Sequence, residues 1–158
     1  LLAKLGIIKE PIAWLANTKF VLGSVIVAEL WRGIPFFAIS LLAAMQGLPD
    51  DIYEAARVDG STKFQTFRFI TLPMLKNTIV LTTLLRTIWE FNSVDLIYSL
   101  TGGGPVGKTT TLSMLIANQA IKTSNYGYGS ALSVVSFAIL AVIAVIYMKL
   151  SGFGKEEA

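Results

Sequence analysis

The chain has 158 residues, 54% of them hydrophobic and 15% charged, with a formal net charge of +3 and a mean hydropathy of +0.65. That balance excludes an ordinary water-soluble domain and makes the membrane the better solvent. Histidine and cysteine are both absent, which excludes imidazole bases, thiol nucleophiles and Cys/His zinc sites, and the thirteen Lys and Arg form no stripe with interleaved aromatics, so nucleic acid is not an expected partner.

The chain opens at Leu1 without the charged n-region and short apolar core of a secretory leader, and it reads as part of something longer. Residues 1–19 are mildly apolar and broken by Pro11, with Trp14 and Lys19 suited to a membrane-water boundary; they predict a helix lying at the interface. From Phe20 to Met45 the sequence is apolar except for Glu29, Arg32 and a few small polar residues. A first transmembrane span is therefore expected over about 20–45, reaching about 39 Å at about 1.5 Å per residue. Pro35 removes a backbone hydrogen bond, which predicts a kink or an opened turn beside Gly33.

Glu29, Arg32, Gly33 and Phe36 stand at i, i+3, i+4 and i+7 and so share one helix face. A charge at mid-bilayer costs about 2.5 to 3.5 kcal/mol, so this face is expected to meet protein or water rather than lipid. Two readings fit: an intrahelical Glu29–Arg32 pair that anchors the bundle, or one wall of a polar pathway.

Residues 48–73 form a polar loop between apolar runs. Pro49 suits a first helical turn, Asp50 and Asp51 complement the N-terminal dipole, and Gly60 suits the left-handed position that ends a helix. Ser61 is expected to cap the helix that follows. Ala55 and Ala56 leave a surface smooth enough for another backbone, and Tyr53, Phe64 and Phe67 are expected as apolar anchors; the simpler alternative is a helical hairpin resting on the membrane surface.

A second span is expected over about 72–92, opened by Leu72-Pro73 and interrupted by Lys76, Arg86 and Glu90. Arg86, Trp89, Glu90 and Ser93 again fall at i, i+3, i+4 and i+7, repeating the one-sided pattern of the first span. Two such stripes suggest helices sharing a hydrophilic cavity, although a closed network of structural ion pairs has the same spacing.

Residues 99–110 form a glycine-rich loop, expected to be a flexible turn outside the bilayer or at its edge. Gly102 to Thr109, GGGPVGKT, satisfies the phosphate-loop pattern, and the preceding VDLIYSL has the look of a strand. A nucleotide site of that kind also needs an aspartate downstream for magnesium, and between Asp95 and Glu156 no acidic residue occurs. A phosphate-loop ATPase is accordingly disfavoured. Thr111 to Lys122 predicts a short helix. The third span is expected over about 126–150, inside a stretch from Thr123 to Met148 that carries no charge, with Tyr126, Tyr128 and Tyr147 near its ends and Gly127, Gly129, Ser130 and Ala131 permitting close packing. Residues 151–158 form a polar tail. Arg57, Lys63, Arg68 and Lys76 around the hairpin, against Lys108 and Lys122 in the later loop, favour the hairpin as cytoplasmic, an advantage diluted by the three lysines of the N-terminal segment; the tail is expected on the same side.

The loop resembles the signature of permease subunits of binding-protein-dependent ABC importers: Glu54-Ala55-Ala56, then Gly60, then Ile70, Leu72 and Pro73. Asp59-Gly60-Ser61 and the Ile70-Thr71-Leu72-Pro73 ending are similar to the carbohydrate-uptake branch. Trp31 with Pro35-Phe36, Phe91-Asn92 with Asp95, Thr101 with Gly103-Gly104-Pro105, and Gly127 with Ser130-Ala131 extend the likeness from Trp14 to Leu150.

The resemblance implies an all-α integral membrane protein, the C-terminal half of a type I importer permease, with three of the family's usual six spans in residues 20–150. It implies a non-catalytic, multi-pass subunit of a bacterial or archaeal plasma membrane that imports a sugar or related solute by alternating access. The implied partners are a dimer of ATP-binding subunits, a second permease, an extracytoplasmic solute-binding protein and membrane lipids. No cofactor is implied for this chain, since ATP and Mg belong to the partner. Glu54, Ala55, Ala56, Asp59, Gly60, Phe64, Leu72 and Pro73 would form the ATPase-coupling loop. Glu29, Arg32, Gly33, Phe36, Arg86, Trp89, Glu90 and Ser93 would line the pathway, with Trp89 stacking on a sugar; Arg32 and Glu90 depart from the uncharged residues of a neutral-sugar site. A scaffold or assembly subunit with closed ion pairs is the alternative.

Overall fold

Long apolar runs with no strand-forming alternation fold here as helices, because only a helix satisfies every backbone group within its own segment in an apolar medium. In the computed structural model, which describes residues 12–152, eight α-helices and one π-turn follow in order: α1 Val21–Gln46, α2 Asp50–Val58, α3 Lys63–Thr66, a π-turn Phe67–Thr71, α4 Leu72–Met74, α5 Lys76–Asn92, α6 Asp95–Thr101, α7 Leu112–Ile121 and α8 Tyr126–Ser151. No strand occurs among the described residues.

α1 and α8 are each 26 residues long and apolar enough to cross a membrane, yet only 11% and 6% of their apolar windows are buried. The core helix of a soluble protein would be covered by its own chain; these two require another apolar environment. The expected middle span is shorter than either. α5 has 17 residues, about 26 Å at the helical rise, and a break at Leu75 separates it from Leu72-Pro73.

Residues 12–19 correct the expected interfacial helix: they form turns, with Asn17 N donating to Ala13 O at 3.0 Å and Phe20 N to Asn17 O at 3.1 Å. The Asn17 side chain explains the switch, since its Oδ1 accepts from Lys19 N at 2.9 Å and its carbonyl takes Val21 N, starting α1 there rather than earlier. Residues 1–11 and 153–158, which hold the rest of that segment and most of the tail, lie outside the described residues. α1 runs through Pro35 as helix without an opened turn. One missing donor is tolerated where every surviving bond is sheltered from water.

The described residues form two compact units. The first comprises residues 12–32 with Phe91–Ala138. Its core is Val25, Ile97 and Met114, with Val94 and Leu100 packed against them. The segment VDLIYSL is a helix, α6, and not a strand, and it ends at Gly102 in the left-handed conformation. The glycine-rich loop is compact where a flexible turn was expected. Thr109, only 3% exposed, bonds to Thr101 Oγ1 at 2.7 Å and donates to Gly104 O at 2.9 Å. Gly103 (φ +88°) leaves no room for a side chain: a Cβ there would sit 2.7 Å from Thr110 Oγ1 and 3.2 Å from Met114. Threonine hydroxyls thus hold the turn shut from inside, as glycines let its backbone close on itself. Ser113 Oγ donates to the carbonyl of Phe91, satisfying one orphan group at the end of α5.

The second unit comprises Gly33–Glu90 with residues 139–152. Val80 and Thr82 of α5 and Leu75 are buried within it, and the hairpin between α1 and α5 belongs to it entirely.

The packing at Gly103 predicts that Gly103→Ala combines a left-handed backbone cost of about 1–2 kcal/mol with the overlap against Thr110. The thermal midpoint in detergent should fall by about 5 °C or more. Gly102→Ala, where a Cβ meets nothing within 4 Å, should fall less, and equal losses would contradict the packing argument.

Candidate functional site

The hairpin is built from local signals that the backbone obeys closely. Pro49 precedes α2 in extended conformation with Asp50 and Asp51 in the first turn, where carboxylates favour the helix dipole. Asp59 caps the C-terminus of α2 and Gly60 takes φ +73°, the left-handed position expected of it. Ser61 does not cap the next helix. Its hydroxyl instead donates back to Ala56 O at 2.6 Å, closing the end of α2, while Thr62 and Gln65 form a reciprocal capping box for α3. Thr-x-x-Gln is the readable signature of that box, and it outcompetes Ser61 because it satisfies two backbone donors where a serine satisfies one.

Pro73 lies in the first turn of α4, but α4 continues directly from the π-turn, whose Leu72 N donates to Phe67 O. A proline at 73 deprives the carbonyl of Phe69 of its normal partner, and the wider turn just before it absorbs the mismatch. The hairpin is then tied across its width by Tyr53, whose hydroxyl lies 3.1 Å from that of Thr71, a side chain only 4% exposed.

These bonds redistribute the residues expected to be presented. Tyr53 is half-buried and works as a tie, not as an anchor. Ala56 is buried at 6% while Ala55 is exposed, so the alanine pair splits between the two faces of α2. Glu54 is exposed and pairs with Arg57 at 3.6 Å with both side chains largely in solvent, a contact of little energetic weight. Val58, Phe64, Phe67 and Phe69 are 87%, 75%, 51% and 73% exposed; Val58 and Phe69 join the expected phenylalanines on the apolar surface. Leu72 is half-buried and Pro73 exposed. A cleft of about 270 Å³ opens between Asp59-Gly60-Ser61 and Gln65, Thr66, Phe69 and Ile70.

The polar stripe begins in the first unit. Arg32 donates through Nε to Glu29 Oε2 at 2.9 Å and through Nη2 to Ser93 Oγ at 2.9 Å, and its Nη1 lies 4.0 Å from the exposed Asp95 carboxylate. Spacing alone gives the Glu29–Arg32 pair; that Ser93 and Asp95 join it follows from the turn between α5 and α6. In the second unit Arg86 pairs with Glu90 one helical turn along. Its guanidinium lies against Gly33, where a Cβ would be 3.1 Å from Nη2 and 3.2 Å from Nε, close enough that an alanine there would push the arginine aside by a few tenths of an ångström. Phe36 and Trp89 meet edge to face with centroids 5.0 Å apart, and Trp89 is 52% exposed.

The phosphate-loop pattern has no counterpart in the geometry. Lys108 and Thr109 precede α7, whose N-cap is Thr111, and the Thr109 hydroxyl is consumed inside the loop, so neither residue opens a helix onto a phosphate. Among the described residues no cluster of three or more acidic side chains is placed to hold a metal ion.

Long apolar helices left uncovered, with charge pairs within the helices, are the features of an α-helical membrane component. The chain belongs to the family of binding-protein-dependent transport system inner membrane components, whose model matches residues 1–152. It is 38% identical over 156 residues to the trehalose/maltose transport system permease protein MalF of Thermococcus litoralis, covering 99% of this chain and 52% of that protein. It is 38% identical over 141 residues to the sulfoquinovosyl glycerol transport system permease protein SmoG of Agrobacterium fabrum, covering 89% and 46%. The fold matches a chain of a bacterial ABC transporter that imports the acidic polysaccharide alginate, with a TM-score of 0.79 at 23% identity over 95% of this chain and 52% of that one. The chain spans about half the length of the curated relatives it matches.

The tie across the hairpin predicts that Tyr53→Phe, which removes one hydroxyl beside the buried Thr71, costs about 1 kcal/mol locally. Amide exchange across residues 50–74 should quicken about fivefold. Glu54→Ala should leave it unchanged, and the reverse ranking would contradict the assignment of Tyr53 as the tie.

Proposed function

We propose that this chain is the membrane-spanning, non-catalytic part of an ABC importer for a sugar or related solute, coupling ATP hydrolysis by a partner subunit to alternating access. The observation that carries the reading is the hairpin. It is a hydrogen-bonded helical body that offers Glu54, Ala55, Val58, Phe64 and Phe69 to solvent, a mixed polar and apolar surface of the kind a protein groove receives. The ATPase dimer docks there, and ATP and Mg reside on it. A second permease and lipid cover the uncovered helices, and an extracytoplasmic binding protein delivers the solute; a solved relative is titled as an alginate transporter in complex with a pentasaccharide-bound periplasmic protein.

In this reading α1, α5 and α8 cross the membrane, so the subunit is multi-pass, with the hairpin cytoplasmic and the glycine-rich loop outside. Glu29, Arg32, Gly33, Phe36, Arg86, Trp89, Glu90 and Ser93 line the pathway. Several features support it: the charges lie on one face of each helix, they are satisfied by one another instead of facing lipid, and Trp89 keeps an exposed ring for a pyranose. The relatives' named solutes include neutral sugars and an acidic polysaccharide, and a sugar is the class they share.

In the assembled transporter, Gly60→Pro forces a φ of about −65° where the chain needs +73°. The subunit should still reach the membrane, while solute uptake and solute-stimulated ATP hydrolysis fall about tenfold or more; Glu54→Ala should lower both in the same direction. Retained coupling in both variants would refute the docking role. Lys108→Ala should spare ATP turnover, and its loss there would restore the phosphate-loop reading.

A further inference from the structure

The tip of the glycine-rich loop holds a residue that its own backbone disfavours. Lys108 N donates to Pro105 O at 3.1 Å, closing a four-residue turn whose two central residues both take positive φ, Val106 at +52° and Gly107 at +70°. That is the pattern of a type I′ turn, which calls for Asn, Asp or Gly at its centre. Gly107 meets the demand. Val106 does not, because a β-branched side chain crowds the backbone in the left-handed region.

Packing does not offset that cost. Val106 is 90% exposed, so its methyl groups bury almost nothing against the described residues. The base of the turn is also held firmly. Thr109 N donates to Gly103 O at 3.2 Å and Thr110 N to Gly107 O at 3.1 Å, while the buried Thr109 hydroxyl donates to Gly104 O. A valine therefore stands on a rigid support at a position where asparagine would suit both the backbone and water better. A strained residue that the surrounding structure holds in place, and that exposes apolar surface, is the kind found where a partner supplies the missing contact.

The charge around the turn points to the chemistry of that partner. Residues 96–125 contain Lys108 and Lys122 and no acidic residue, so the surface beside the valine is positive and complements a protein face that carries carboxylates. A rigid apolar knob gains most from a preformed pocket, because little freedom is lost on docking; a fluid bilayer offers no such pocket.

Resting on the reading above, in which this loop lies outside the membrane, we propose that Val106 is a docking knob for the extracytoplasmic solute-binding protein, received in an apolar pocket rimmed by acidic side chains. The turn gives up some local stability and gains a fixed contact point.

The test separates the two effects of one side chain. Val106→Asn gives the turn a residue it favours and deletes the knob; Val106→Ile keeps both the knob and the misfit. In the assembled transporter in lipid nanodiscs, amide exchange is followed across residues 102–110, together with the affinity for the fluorescently labelled binding protein of the same transporter, purified with the solute it carries. Val106→Asn should slow exchange in the turn about threefold and at the same time raise the dissociation constant about tenfold. Val106→Ile should leave both within about twofold of the wild type. A variant that folds more tightly and docks more weakly is an outcome that a purely structural role for Val106 does not produce. An unchanged dissociation constant in Val106→Asn overturns the proposal while leaving the transport reading intact. So does faster exchange in that variant, which would make the valine part of the fold, and so does loss of the second permease from the purified complex, which would place the knob inside the membrane assembly. A wild-type transporter that binds no such protein removes the transport reading itself, and the proposal with it.

Discussion

A guanidinium placed in an otherwise apolar helix must keep a carboxylate within reach, and much of this structure follows from that constraint. The pairing puts Glu29 one turn before Arg32 and Glu90 one turn after Arg86, so each charge has a counter-charge within its own helix. It also brings the Arg86 guanidinium against Gly33, where a Cβ would stand 3.1 Å from Nη2. Ser93 is drawn into the same network as the Arg32 partner just beyond α5. Removing Glu29 or Glu90 takes from its arginine a counter-charge held in partly sheltered surroundings, the costly side of breaking such a pair.

The hairpin obeys a different economy. It carries almost no buried apolar area, and its shape comes from hydrogen bonds made at each end of each short helix: Ser61 closing α2, the Thr62–Gln65 box opening α3, the π-turn absorbing Pro73, and Tyr53 bridging to Thr71. Its polar groups are mutually satisfied, while Val58, Phe64, Phe67 and Phe69 stay exposed. In the proposed function that division matters mechanically. A displacement applied to α2 passes through the tie and the π-turn to α4 and so to the start of α5, the helix that carries Arg86, Trp89 and Glu90.

The helices and the stripes were legible in the sequence because they rest on long periodic patterns, and the match of α7 and α8 to their expected limits shows it. The Glu29–Arg32 and Arg86–Glu90 pairs follow from spacing alone. Harder to read were features decided by competition between nearby polar groups. Asn17 won the start of α1, so residues 12–19 turn instead of continuing a helix. Thr62 displaced Ser61 as a cap, and burial of Thr109 made a shut loop of what composition suggested was a flexible one. α6 was missed because its seven residues are too few for periodicity to separate helix from strand. The split of Ala55 from Ala56 and the role of Tyr53 depend on how α2 lies on Thr71, which no local pattern encodes. Family likeness and fold agree.

The central claim is that the face of the hairpin bearing Glu54 and Phe64 rests in a cleft of an ATP-hydrolysing partner. Disulfide trapping tests it most directly. With Phe64→Cys in this cysteine-free chain and single cysteines introduced along the partner's cleft, the assembled transporter should give a cross-link that forms readily, depends on the chosen cleft position, and stops ATP-driven uptake until it is reduced. A transporter that remains fully active while no cleft position cross-links to residue 64, or that cross-links there without any effect on uptake, would contradict the account.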